Sequence, residues 1–168
     1  LYDGSFDDDD TLLEVLNLGI LERHGFDVTP DQIADGWKAF LKDGVYVANE
    51  RALWLMRRGV SPPDTSHPAL NPFSGWNLSG QFTQETWGLM APGMPAEAQL
   101  LADRFARVPV RGEAVLAAHF VAILYAEAFF EHDPETLVRA AAAALPRESA
   151  YRRMIDEVLA WRAEHPSN

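Results

Sequence analysis

Four consecutive aspartates, Asp7 to Asp10, stand directly before Thr11 and a run of apolar residues at helical spacing. Several carboxylates are thus gathered where a helix begins. Such a run can arise for two physical reasons. One aspartate can cap the helix while its neighbours face the positive end of the helix dipole, each charge contributing about 0.3–1 kcal/mol. Alternatively, adjacent carboxylates repel one another unless a cation neutralises them, and hard oxygen ligands select Mg2+, Mn2+ or Ca2+. Adjacent aspartates at a helix start point in different directions, so a pair can hold one ion from two sides or serve two ions. An EF-hand does not account for the run, because its ligands alternate along a loop with a central glycine and a final glutamate.

Other residues could join such a site. Glu14 lies four residues after Asp10, one turn further along the same helix face. There it could bind a metal-bound water or a ribose hydroxyl, or act as a salt-bridged structural glutamate. Gln81, Gln84, Glu85 and Trp87 form an amide, carboxylate and aromatic set suited to a sugar or an adenine; aromatic residues at helical spacing also commonly build a core. The histidines at 24, 67, 119, 132 and 165 show no metal-ligand spacing. His119, inside an apolar helix, reads as a core histidine with its hydrogen bonds satisfied.

The elements that must position these groups read as helices throughout. Leu12, Leu13, Leu16, Ile20 and Leu21 recur on one helix face, with Gly25 to stop it. Thr29-Pro30-Asp31 supplies an N-cap and a first-turn proline for a second helix through about Leu41, carrying Ile33, Trp37, Phe40 and Leu41. A third helix over about Ala48 to Arg58 buries Leu53, Trp54 and Met56 and ends at Gly59. From Ser61 to Leu78, prolines at 62, 63, 68 and 72 and a glycine at 75 forbid a sustained helix or central strand. The aromatic and amide content of that segment (Asn71, Phe73, Trp76, Asn77) argues for more than a spacer. Helical spacing resumes near Ser79, stops at Pro92-Gly93-Met94-Pro95, and continues in helices through about Val108, from Glu113 to Glu131, from Pro134 to Leu145 and from Ser149 to about Glu164. The apolar stretch Ala114 to Phe130 should be a buried core helix, with Leu116, Phe120, Ile123 and Leu124 filling the core. No strand-like alternation is sustained and no internal repeat is visible, so the fold class is all-α.

A chain of 168 residues with 48% hydrophobic and 23% charged residues suits one helical domain over residues 1–168. The net charge of −11 repels nucleic-acid phosphates and anionic lipid surfaces, and the short pairs Arg57-Arg58 and Arg152-Arg153 read as solvated helix faces. A divalent cation suits such acidity better than a nucleic acid does. With no cysteine, disulfides, thiolate nucleophiles and thiolate zinc sites are excluded, and a cytoplasmic setting is expected. Ala114 to Phe130 is interrupted by His119 and Glu127 and falls short of a membrane span. Leu1 is not a start methionine, so the expectation is a chain that lacks its natural beginning.

The run Asp8-Asp9-Asp10-Thr11 followed by Leu12-Leu13-Glu14 resembles the Thr/Ser-Asp-Asp-Thr metal motif of the ADP-ribosylglycohydrolase family, which includes the dinitrogenase-reductase-activating glycohydrolase. Trp87-Gly88-Leu89-Met90-Ala91-Pro92-Gly93 is similar to the family's glycine and alanine-proline segment. Ala102 to Ala106, Gly112-Glu113-Ala114 with the alanine-rich helix after it, Leu145-Pro146 and Val158 to Trp161 extend the likeness over nearly the whole chain. The resemblance implies a compact orthogonal helical bundle, part of a longer ADP-ribosylglycohydrolase-like domain. It also implies Mg2+-dependent hydrolysis of a glycosidic bond to ADP-ribose or a related ribosyl compound, with two Mg2+ ions in a complete site and Mn2+ as an alternative. Asp9 and Asp10 would be metal ligands, and Asp8 would take the place of the usual threonine or serine. Glu14, Gln84, Glu85 and Trp87 are the candidate substrate-binding residues, and no residue is assigned as general acid or base.

The sequence also departs from the family pattern. The family's N-terminal glycine-rich segment with its Gly-Asp pair is absent, no Asp-x-Asp follows Asp10, and Pro109-Val110 stands where a Thr-His pair is common. Either further motifs lie elsewhere in a longer polypeptide, or the chain is a non-catalytic relative, ligand-binding or structural like the eye-lens crystallins of the family, with an incomplete metal site. A helical interaction domain with an acidic cap is the third possibility.

Overall fold

The computed structural model describes residues 9–42 and 45–166. Among them lie eight α-helices and no strand: α1 (Asp9–His24), α2 (Pro30–Phe40), α3 (Val47–Met56), α4 (Glu85–Met90), α5 (Pro95–Ala106), α6 (Glu113–Glu127), α7 (Pro134–Ala143) and α8 (Ala150–Glu164). The all-helical class expected from apolar spacing is the class observed. No helix of the described residues is long and apolar enough to cross a membrane.

Local chemistry sets the helix boundaries. Thr29 and Gln32 form a reciprocal capping box at α2, the Thr29 N–H donating to Gln32 Oε1 at 2.9 Å and the Gln32 N–H to Thr29 Oγ1 at 3.3 Å. Asp133 and Ser149 cap α7 and α8. Gly25 (φ +76°) and Gly59 (φ +86°) follow α1 and α3 in the left-handed region, which costs glycine no Cβ clash.

A large core is built from the inner faces of α1 to α6. Its centre is alanine-rich: Ala114, Ala118, Ala122 and Ala126 of α6 are buried and let neighbouring helices approach closely. Gly88 of α4 lies so near α6 that an added Cβ would stand 2.6 Å from the Ala122 carbonyl oxygen. Of the four large residues expected to fill the core from α6, Ile123 is buried, whereas Leu116, Phe120 and Leu124 are half-buried. Leu116 and Phe120 face a smaller cluster made by Ala142, Leu145, Ile155 and Leu159. Helix α6 ends at Glu127, and Phe129 and Phe130 are exposed.

Two further expectations are corrected. Trp54 is not buried with Leu53 and Met56: it is 41% exposed, and the guanidinium groups of Arg51 and Arg58 lie 4.2 and 3.5 Å from its ring. Cation–π contact with flanking arginines gives an indole a stable place at the surface. Phe40 at the end of α2 is exposed as well. Nor are the arginine pairs merely solvated. Arg57 donates to the Leu41 carbonyl, and Arg152 pairs with Asp156 and donates to the Ala142 carbonyl.

The segment from 61 to 78 is irregular, as its prolines require, with short 3-10 turns at Asp64–Ser66 and Leu78–Gly80. It is tied down from within. The buried Asn71 amide donates to the carbonyls of Ala48, Thr65 and Pro109 at 3.0, 3.2 and 3.3 Å, and Thr65 donates to the Val108 carbonyl at 2.7 Å.

Candidate functional site

Asp9 and Asp10 occupy the first turn of α1, where the unsatisfied N–H groups and the dipole favour negative charge. Asp9 is half-buried and Asp10 exposed, so both are placed at the surface end of the helix; Asp8 lies outside the described residues. Their oxygen donors fit a hard divalent cation in kind. In number they fall short: among the described residues, no group of three or more His, Cys, Asp or Glu is placed to hold a metal ion. Any ion bound here would draw further ligands from residues outside those described or from water. Glu14, one turn on, is half-buried.

A crevice lies beside the inner face of α1, lined from that helix by Leu13 and Asn17. Asn49 of α3 and Phe82, Thr83 and Gln84 from the segment before α4 line it as well. Of the four candidate substrate residues, Gln84 is therefore the one brought against the inner face of α1. Its Nε2 donates to Thr83 Oγ1 at 3.1 Å and to the Phe82 carbonyl at 3.3 Å. Thr83 has φ +72°, an uncommon conformation for a non-glycine residue. Asn17 Oδ1 accepts from the Trp37 indole at 3.4 Å. Glu85 begins α4 and is half-buried. Trp87 is fully buried and stacks on Phe105, with ring centroids 4.3 Å apart, and Trp76 is exposed beside Phe73.

Asn17 and Asn49 did not stand out in the sequence as site residues. Their signal is a polar amide at a buried-stripe position: Asn17 stands between Leu13 and Leu21 at four-residue spacing, and Asn49 adjoins Ala48 and precedes Leu53 by four.

A second polar cluster joins α5 to α6. His119 is buried; its Nε2 lies 2.9 Å from Asp103 Oδ1, and its Nδ1 lies 3.3 Å from Gln99 Nε2. The expected satisfied core histidine is what the geometry gives. Arg107 meets Asp103 with two hydrogen bonds, at 2.6 and 2.8 Å. Burial alone would raise the Asp103 carboxyl, but the hydrogen bonds from His119 and Arg107 outweigh it and hold the group well below the usual carboxylate range. Elsewhere, Glu113 accepts the Ala150 and Tyr151 N–H groups at the start of α8, and Gln81 donates to the Tyr151 hydroxyl at 2.9 Å. Burial pushes that phenol up, the Gln81 hydrogen bond only partly offsetting it.

An acidic helix start, an alanine-lined helical core and a Trp-Gly segment pressed on the central helix are thus combined in one all-helical chain. A model of the ADP-ribosylglycohydrolase family matches residues 3–168. The chain belongs to that family. No curated protein and no solved structure gives a significant match.

Proposed function

We propose that the chain is part of a Mg2+-dependent glycohydrolase that cleaves a glycosidic bond to ADP-ribose or a related ribosyl compound. The observation that carries this reading is the Asp9-Asp10 pair in the first turn of α1, within a chain whose match to the family covers nearly its full length. In the reaction, the bond between the anomeric carbon and the leaving nitrogen or oxygen breaks. Water supplies hydroxide to that carbon and a proton to the leaving atom.

Asp9 and Asp10, with Asp8 before them, are the residues that would hold Mg2+ or Mn2+. When bound, the ions supply positive charge that orients ribose hydroxyls and an attacking water. In this reading Glu14, one turn after Asp10, would accept from a ribose hydroxyl, and Gln84, which lines the crevice with Leu13 and Asn17 of α1, would contribute a neutral amide. Glu85 and Trp87 are proposed as support for that segment, Trp87 through its stacking on Phe105.

The helices form one domain within a longer family domain. The cysteine-free composition suits a reducing cytoplasm, and the net charge of −11 suits a small or protein-linked substrate rather than a nucleic acid or a membrane. One sequence observation favours the competing reading of a non-catalytic relative: no Asp-x-Asp follows Asp10.

Turnover separates the two. ADP-ribosylated arginine and serine peptides are incubated with the protein, with Mg2+ or with chelator, and free ADP-ribose is measured. Release that requires Mg2+ and is lost in Asp9→Asn and Asp10→Asn supports the glycohydrolase. Absence of release at every metal concentration, together with retained ADP-ribose binding, supports the non-catalytic relative.

A further inference from the structure

The crevice between α1, α3 and the Phe82–Gln84 turn contains polar groups that no described residue pairs. Asn49 is 1% exposed, and neither its side-chain nitrogen nor its oxygen has a hydrogen-bond partner among the described residues. Gln84 is 2% exposed; its nitrogen is engaged, and its oxygen has no such partner. Buried amides without partners forfeit their hydration and gain nothing in return, so they are rare unless something fills the site. Both side chains line the same crevice, which has room for about one water-sized group.

The donor set defines what can enter. None of the described residues lining the crevice is charged, which disfavours a phosphate, a carboxylate or an ammonium group. A bare cation could use the two amide oxygens but would leave the Asn49 N–H2 unpaired beside it. A hydroxyl can serve two of the three unused atoms at once, because it accepts from Asn49 Nδ2 and donates its one hydrogen to Asn49 Oδ1 or Gln84 Oε1. Leu13 and Phe82 supply apolar wall, and among the described lining residues Phe82 is the one that is partly exposed. Thr83, with φ +72°, stands between Phe82 and Gln84.

We infer that this crevice is a recognition subsite for a single sugar hydroxyl, with Asn49 and Gln84 as its specificity-determining residues. The inference deepens the proposed function and rests on it for the identity of the sugar.

The test uses the wild-type chain, and Asn49→Leu and Gln84→Leu, which approximate the original shape without the amide. D-ribose and ADP-ribose are titrated separately while the side-chain amide signals of Asn49 and Gln84 are followed by NMR, and ADP-ribose affinity is measured by calorimetry. Both ligands are expected to move the two amide signals, and each variant to weaken ADP-ribose by about tenfold or more, the usual scale for an unpaired buried partner. ADP-ribose binding with unmoved amide signals and undiminished affinity in the variants means that the crevice holds an ordered water only. That result overturns the inference and leaves the proposed function standing. Amide signals moved by D-ribose, in a protein that ignores ADP-ribose, sustain the hydroxyl subsite and remove the ADP-ribose reading. Silence towards both ligands removes both. A variant that fails to fold does not obscure the outcome, because the wild-type amide signals decide it.

Discussion

Replacing Gly88 by alanine tests whether close approach of α4 to α6 holds the Trp-Gly segment in place. The added Cβ would lie 2.5 Å from Tyr125 Cβ, 2.6 Å from the Ala122 carbonyl oxygen and 2.8 Å from the Ala126 nitrogen. Two of these atoms are α6 backbone, so no side-chain rotation relieves the contact. Helix propensity alone favours alanine over glycine by about 1 kcal/mol, whereas overpacking costs about 1–3 kcal/mol and more when backbone must shift. Set against the propensity gain, overpacking leaves a net destabilisation of up to about 2 kcal/mol, and more where the α6 backbone must shift. For a protein of this size, about 2 kcal/mol lowers Tm by roughly 4–8 °C. Gly19 of α1 is the internal control: a Cβ there meets nothing within 4 Å, so Gly19→Ala should raise Tm by roughly 1–3 °C through propensity alone. Differential scanning calorimetry of the two variants checks the signs. If Gly88→Ala melts at or above the wild type, α4 is not pressed on α6 as described, and the seating of Trp87 on Phe105 loses its basis.

Other outcomes follow from the polar interior. Asn71→Leu removes the donor shared by the Ala48, Thr65 and Pro109 carbonyls and should cost about 3 kcal/mol or more. The measurement is the urea midpoint, and an unchanged midpoint would show that the 61–78 segment is not anchored by that amide. The Asp103 carboxyl is depressed in the folded state from its ordinary value of 3.8. Its stabilisation is therefore fully present above that value and is lost as pH falls through the lower folded value. Asp103→Asn should flatten the acid side of the stability–pH curve, measured by denaturant unfolding between about pH 2 and pH 6; an acid slope equal to that of the wild type would contradict the assignment.

Much of the helical framework was legible in local chemistry. The Thr29-Pro30 start, the Asp133 and Ser149 caps and the Gly25 and Gly59 stops are interactions between residues a few positions apart, and their geometry follows from residue type. Burial was less legible, because periodicity names a face without naming what covers it. Trp54 fell on an apolar stripe, yet it sits at the surface against two arginines, one three residues before it and one four after it. The role of Asn71 could not be read at all, since one of its partners lies 38 residues away. At the candidate site the aspartate run announced itself, because adjacent like charges demand an explanation. Asn17 and Asn49 did not: two neutral amides in apolar helices gain meaning only when the Phe82–Gln84 turn is brought against them.

The proposed function stands or falls on whether the Asp9-Asp10 pair binds a divalent ion or only faces the positive end of the α1 dipole. A thermal melt across a magnesium titration, run on the wild type and on the Asp9→Asn/Asp10→Asn double variant, distinguishes the two, because asparagine keeps the side-chain size while removing both charges, and only a ligand pair then loses a response to magnesium. If the pair is a ligand set, Mg2+ at a hundredfold excess over its dissociation constant stabilises the wild type by about 2.7 kcal/mol. Chelator reverses the gain, and the double variant does not respond. Equal responses of wild type and variant to magnesium, or no response in either, would contradict metal ligation by these aspartates and leave them as first-turn charges facing the α1 dipole.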